Sequence, residues 1–108
     1  MGRLRALAVT TSTRSQTLPN VPVIADFVPD YEASAWYGIG APGKTPSDTI
    51  VKLNAEINAG LIDEKVKVRL TELGSVPFAL TPSQFGKHLV AETDKWSEVV
   101  HAANIKVE

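Results

Sequence analysis

Residues 36–48 read WYGIGAPGKTPSD, and this stretch divides the chain into two parts of different character. An apolar run with two aromatic residues ends in glycines, and a Pro-Gly-Lys turn follows it. Thr45 then supplies a hydroxyl cap, Pro46 suits the first helical position, and Asp48 places an acid in the first turn. The sequence therefore predicts strands and loops before this point and helices after it.

Two strands are expected in the first part. Residues 4–10 form a short apolar run that ends in hydroxyl residues, which is typical of a strand buried on at least one face. Residues 31–39 form the second candidate, and the alternation of a strand would point Trp36 and Tyr37 to opposite faces. Between the two strands, Pro22 is expected to begin one or two helical turns.

Three helices are expected in the second part. The first begins at Pro46, Asp63 caps the second, and Gly74 ends the second. The third begins at a capping box that pairs Thr81 with Gln84 and runs to about residue 103. The predicted buried stripes comprise Ile50, Leu53, Ile57 and Leu61 on the first helix, and Phe85, Leu89, Trp96, Val99, Val100 and Ala103 on the third.

Several smaller features accompany these helices. Asn54 and Asn58 lie beside the stripe of the first helix and are expected to face solvent. Residues 76–80 are expected to be extended, as a small edge strand in which Pro77 is tolerated. Asn104 suits the left-handed position that closes the third helix.

Composition excludes several classes of function. The chain of 108 residues has a net charge of −1 and no cysteine, which argues against a nucleic-acid surface, disulfides and thiolate metal sites. No apolar run is long enough to span a membrane, and no signal peptide is recognised, so the chain as written carries no export address. A chain of this length is expected to bury roughly 60–70% of its unfolded surface.

No pattern of an enzyme, a metal site or a cofactor site is found. No serine lies in a Gly-x-Ser-x-Gly elbow. His88 and His101 would lie about 140° apart around one helix, so they cannot share a metal ion. The glycines of residues 38–43 lack the spacing and the ending of a phosphate loop. We therefore expect a protein without catalytic activity or cofactor.

Three residues are candidates for binding a ligand. Arg14 follows a run of hydroxyl residues at the end of the first strand, and this combination suits a carboxylate. The alternative is a solvated loop in which Arg14 pairs with Asp26 or Asp30. Trp36 and Tyr37 could line a ligand cleft, as aromatic side chains often do, or belong to the core.

The ordered set of motifs resembles one family along essentially the whole chain. The segments are GRLRALAVTTSTRSQTLPNVPVIADF (residues 2–27), WYGIGAPGKTPSDTIVKLNAEI (36–57) and LGSVPFALTPSQFGKHLVAETDKWSEVVHAANIKVE (73–108). They are similar to the C-terminal part of Bug-type, or TctC-like, solute-binding proteins of tripartite tricarboxylate transport. The resemblance covers roughly the last third of a typical member.

The resemblance implies a type II periplasmic-binding-protein fold, in which two α/β lobes close on a small ligand. This chain would supply two main strands followed by about three helices. Residues 1–41 would be the end of the second lobe and the crossing strand, and residues 42–108 would pack on the first lobe. The implied ligand is a small carboxylate, captured in the periplasm for uptake by a membrane transporter or for sensing.

Two further expectations follow from the truncation. Surfaces that the missing lobes would cover are expected to be exposed and to favour self-association. Without an export address, the chain as written would stay in the cytoplasm, although the parent family is periplasmic. The alternative to a receptor fragment is a free-standing helical interaction module that uses the third helix as its partner surface and binds no small ligand.

Overall fold

The computed structural model describes residues 4–106. A short 3-10 helix, Ile24–Asp26, is followed by three α-helices, which are α1 (Ser47–Ile62), α2 (Glu64–Glu72) and α3 (Pro82–Ala102). The predicted order of a helical turn after Pro22 and three later helices is therefore confirmed.

Two compact units divide the chain. The first contains the described residues up to Pro42 together with Ile62–Pro77, and so includes α2. The second contains Gly43–Leu61 and the described residues from Phe78 onward, and so includes most of α1 and all of α3. Among residues 4–106, no helix combines the length and the apolar character needed to cross a bilayer.

The first unit is organised around a parallel bridge between Val9 and Val23. The Val9 N–H donates to the Pro22 carbonyl, and the Ile24 N–H donates to the Val9 carbonyl, both at 2.9 Å. Val23 is 8% exposed and is the only buried hydrophobic side chain in residues 4–106. The core of this unit is therefore small.

The two predicted strands are not confirmed. Residues 4–10 and 31–39 are irregular backbone outside any helix, and within the described chain only the Val9–Val23 bridge has strand character. Residues 76–80 likewise form no edge strand. A strand needs neighbouring backbone to satisfy its N–H and C=O groups, and two strands alone make an unstable sheet. The described residues provide too few such neighbours.

The predicted ends of α2 and the predicted close of α3 are confirmed, whereas α1 begins at Ser47, one residue after the predicted start at Pro46. The Asp63 carboxylate accepts from the backbone N–H groups of Lys65 and Val66 at 3.0 and 3.2 Å. Gly74 closes α2 with φ of +76°, and Asn104 follows α3 with φ of +50°. These are local signals, since each depends only on residues within one turn of the helix end.

The start of α3 is a complete capping box. The Gln84 N–H donates to the Thr81 hydroxyl at 3.2 Å, and the Thr81 N–H donates to the Gln84 side-chain oxygen at 2.9 Å. Pro82 occupies the first turn, where its missing N–H has no intrahelical partner to lose. Each of the two residues therefore satisfies a backbone donor of the other.

The second unit joins α1 to the segment before α3 through two asparagines. The side-chain amides of Asn54 and Asn58 both donate to the Leu80 carbonyl, at 2.9 and 3.1 Å. The expectation that these side chains face solvent was wrong, because both bind the Leu80 carbonyl before α3. Phe78 also packs edge-on against His88, with ring centroids 5.9 Å apart.

The apolar stripe of α3 is only partly covered. Phe85 is half-buried, but Leu89 remains 41%, Trp96 40% and Val99 44% exposed. The prediction that Trp96 is a core residue was therefore wrong. Its indole N–H donates to a Glu92 carboxylate oxygen at 3.0 Å instead. The helix has the predicted amphipathic pattern, but the described chain supplies too little apolar surface to cover it.

The total exposed area also indicates that the chain as a whole buries little of its surface. The chain of 11.6 kDa exposes 9298 Å². A compact protein of this mass exposes roughly 5,800 Å² and its unfolded chain about 16,800 Å². Folding therefore hides about 45% of the unfolded surface, which is less than the expected fraction of roughly 60–70%.

Candidate functional site

The polar loop of residues 10–17, here called the Arg14 loop, lies in the first unit and borders a small depression. Residues 11 and 13–17 form one side of it, and residues 71 and 74–76 at the end of α2 form the other. Its volume is about 80 Å³. That space suits a single small polar group and not a whole drug-sized ligand, whose pockets usually exceed about 300 Å³.

The hydroxyl groups of the Arg14 loop bind mostly to the loop itself. The Thr11 hydroxyl donates to the Thr13 carbonyl at 2.6 Å, and the hydroxyls of Ser15 and Thr17 lie 2.8 Å apart. Such short-range bonds fix the shape of a loop without secondary structure. Arg14 carries the only charged group among the residues that line the depression.

Arg14 forms the ion pair that the sequence offered as the alternative to ligand binding. One of its guanidinium nitrogens lies 3.9 Å from a carboxylate oxygen of Asp26, and the two side chains are 56% and 49% exposed. An exposed pair at this distance contributes little to stability, typically less than about 1 kcal/mol. Arg14 can therefore exchange Asp26 for another carboxylate at small cost.

Of the three candidate residues, only Arg14 lines the depression described above. Trp36 is half-buried, whereas Tyr37 is 94% exposed, so the two aromatic side chains differ sharply in environment. Neither ring lines the depression beside Arg14. All three candidates belong to the first unit.

A second, shallower depression of about 330 Å³ lies along α1 in the second unit. Its lining includes two acids, Asp48 and Glu56, together with Lys52 and Leu53. Groups of opposite charge alternate there along a single helix, which is the pattern of a solvated helix surface. No group of three or more potential metal ligands occurs among residues 4–106.

Sequence reasoning missed the role of Asn54 and Asn58. Two asparagines four residues apart lie on one side of a helix, but nothing in their spacing shows which backbone group they meet. Their partner, the Leu80 carbonyl, is 26 and 22 residues away along the chain. They position the segment before α3 and take no part in the Arg14 loop.

Comparison with known proteins establishes the family. The family model described as "Tripartite tricarboxylate transporter family receptor" matches residues 1–105. The chain belongs to this receptor family. It is a family of solute-binding receptors and not of enzymes, as the resemblance of the motifs implied.

Individual relatives agree with this assignment. Protein BugT of Bordetella pertussis is 35% identical over 108 residues, which cover 99% of this chain and 33% of BugT. A UPF0065 protein in the tcbD-tcbE intergenic region of a Pseudomonas species is 35% identical over 100 residues, covering 91% of this chain and 30% of that protein. The chain thus spans about a third of the length of these two relatives.

A solved structure shares the backbone arrangement. The protein described as "R. palustris Rpa4515 with adipate" superposes with a TM-score of 0.79 at 36% identity. The match covers 91% of this chain and 33% of that protein. The receptor chain therefore has the fold of one part of a solute-binding protein, which was the predicted fold class apart from its two strands.

Proposed function

We propose that this chain is part of a periplasmic receptor that captures a small carboxylate without chemical change and presents it to a tripartite transporter or a sensor. The observation that supports this most strongly is the similarity to a structure whose description names adipate, a dicarboxylate. That protein is 36% identical to this chain over 91% of the length of this chain.

The chain's own residues suit a supporting part in such capture. Arg14 is the charged group beside the depression of the first unit and is held only by a long, exposed ion pair. Tyr37 presents its ring almost fully to solvent, where an aromatic side chain can cover an apolar ligand chain. Trp36 precedes it in the segment proposed to cross between two lobes.

The placement of the chain in the receptor is part of this proposal. Residues 1–41 would end the second lobe and cross toward the first, and residues 42–108 would pack on the first lobe. The remaining two-thirds of such a fold would supply most ligand contacts. The 108 residues alone would then bind carboxylates weakly or not at all.

A chimera tests this function. Residues 4–106 replace the matching third of the adipate-bound protein, and calorimetry measures the binding of adipate and of hexane-1,6-diol, which has the same chain without charge. We expect the folded chimera to bind adipate and not the diol. A folded chimera that binds no small carboxylate would contradict the proposal.

Arg14 can be tested in the same chimera. Arg14→Ala should weaken adipate binding about tenfold or more, because a hydrogen bond to a charged group contributes about 1.5–3 kcal/mol. Arg69→Ala is the matched control, since Arg69 is a 71% exposed arginine paired with Glu72 on α2. Equal affinities of the two variants would remove Arg14 from the site.

A further inference from the structure

Arg14 and Asp26 are carried by two backbone segments that lie side by side in the first unit. The parallel bridge joins Val9, one residue before the Arg14 loop, to Val23. Three residues after Val23, Asp26 ends the short 3-10 helix, and its N–H donates to the Val23 carbonyl at 3.2 Å. The bridge and the helix therefore hold the backbone of Asp26 beside the Arg14 loop.

The backbone of the Arg14 loop is fixed by local bonds, whereas the Arg14 side chain is held loosely. At the end of the loop, the Leu18 N–H donates to the Ser15 carbonyl at 3.2 Å. The guanidinium nitrogen lies 3.9 Å from the Asp26 oxygen, whereas a close charge-assisted hydrogen bond is about 2.7–2.9 Å long. The side chain can therefore turn towards another acceptor without any movement of the loop.

Arg14 lies between two places where a carboxylate can meet it. One is Asp26, which is not among the residues that line the depression. The other is the depression itself, with a volume of about 80 Å³, which exceeds the roughly 30 Å³ share of one water molecule and suits one carboxylate group. Hydroxyl residues stand on both of its walls, and these are Thr11, Thr13, Ser15, Thr17, Thr71 and Ser75.

The geometry of the ion pair favours competition with a ligand over orientation of Arg14. An aspartate that orients an arginine typically does so through two short, parallel hydrogen bonds. Here one nitrogen of Arg14 meets one oxygen of Asp26 at 3.9 Å, and both side chains are about half exposed. Asp26 thus partly neutralises the guanidinium without fixing its direction. A ligand carboxylate beside the same guanidinium would also be repelled by the charge of Asp26.

We propose that Asp26 is a built-in competitor of the ligand, whose carboxylate occupies Arg14 until a ligand carboxylate displaces it. Asp26 then lowers the affinity of the receptor and makes a charged ligand necessary. A neutral hydroxyl or amide forms a bond to the guanidinium roughly half as strong as that of a carboxylate, and therefore displaces Asp26 less readily. This role of Asp26 rests on the proposed function, in which Arg14 contacts the ligand.

Adipate binding to the chimera that carries residues 4–106 tests this role. Asp26→Asn keeps the shape of the side chain and removes its charge. Calorimetry should show adipate binding about two- to sixfold tighter than in the unchanged chimera, because an exposed ion pair contributes only about 0.2–1 kcal/mol. Asp26→Glu restores a competing carboxylate and should bring back most of the parent affinity.

Two comparisons show whether the effect passes through Arg14. In a chimera that already carries Arg14→Ala, Asp26→Asn should no longer tighten binding, because no guanidinium is left to release. Glu72→Gln is the matched control, since it removes an equal charge from an acid that pairs with Arg69 at 3.0 Å in the same unit. This control should tighten adipate binding clearly less than Asp26→Asn does.

The opposite results would overturn this role of Asp26. Weaker binding by Asp26→Asn would show that Asp26 holds Arg14 in place for the ligand. Equal tightening by Asp26→Asn and Glu72→Gln would show a general effect of net charge. Unchanged affinity in a chimera that binds adipate would overturn the role of Asp26 and leave the proposed function standing. A folded chimera that binds no small carboxylate would contradict both.

Discussion

Asn54 and Asn58 share one acceptor, and this makes their contributions to stability interdependent. Both side-chain amides donate to the Leu80 carbonyl, and Asn58 also donates to the Asn54 side-chain oxygen at 3.3 Å. With either asparagine replaced, the carbonyl keeps one donor. With both replaced, a part-buried acceptor loses both, and an unsatisfied buried group costs about 1–3 kcal/mol.

We therefore expect a more than additive loss of stability. Asn54→Ala and Asn58→Ala should each lower the free energy of unfolding by about 0.5–1 kcal/mol, because the better helix propensity of alanine offsets part of the lost bond. The double variant should lose more than the sum. Urea unfolding followed by circular dichroism measures this, with Glu56→Ala on an exposed position of α1 as the control. Strict additivity would show that the two bonds act independently.

Among the helices, Gly60 and Gly74 should respond in opposite ways when each is replaced by alanine. Gly74 ends α2 in the left-handed region with φ of +76°, and the Ser75 N–H donates to the Leu70 carbonyl at 2.9 Å across this turn. Gly60 lies within α1, and an added methyl group would meet nothing within 4 Å. The same change of glycine to alanine should therefore have opposite signs.

Gly74→Ala should destabilise the chain by about 1–2 kcal/mol, which is the cost of a β-carbon in the left-handed conformation. Gly60→Ala should stabilise it by about 0.5–1 kcal/mol, because alanine loses less backbone freedom in a helix. Thermal unfolding of both variants beside the parent chain measures the two effects. A loss of stability in both would indicate that the surroundings of Gly60 are less open than the structure has them.

The elements that the sequence predicted correctly are those defined by local contacts. The cap at Asp63, the capping box at Thr81 and the left-handed residue Asn104 each involve partners within a few residues. The short helix Ile24–Asp26 follows from the prolines around it. Such features can be read from sequence because nothing distant has to be known.

The predictions that failed depend on distant or absent partners. Residues 4–10 have the composition of a strand, but a strand exists only beside another strand. Trp96 lies on the apolar stripe of α3 as predicted, yet remains 40% exposed because little packs over it. For the candidate site, the pairing of Arg14 with Asp26 was among the alternatives, whereas the absence of both aromatic rings from the lining of the depression beside Arg14 could not be read from spacing.

For the whole chain, the small buried area predicts that the free energy of unfolding changes only slowly with urea concentration. The steepness of urea unfolding, the m-value, is proportional to the surface exposed on unfolding. Unfolding exposes about 7,500 Å² here, against about 11,000 Å² for a compact protein of this mass. We expect an m-value about two-thirds of that of a compact domain of equal length.

Separate unfolding of the two units would also lower the apparent m-value, so each unit needs its own probe. Trp36 lies in the first unit and Trp96 in the second, and these are the 2 tryptophans of the chain. Trp36→Phe and Trp96→Phe leave one fluorescent probe in each case. If the unfolding transitions of the two variants coincide, the two units unfold together and the m-value describes one two-state transition.

A full-sized m-value that depends on protein concentration would show that copies of the chain cover each other's apolar surface. A full-sized value independent of concentration would mean that one chain buries this surface alone.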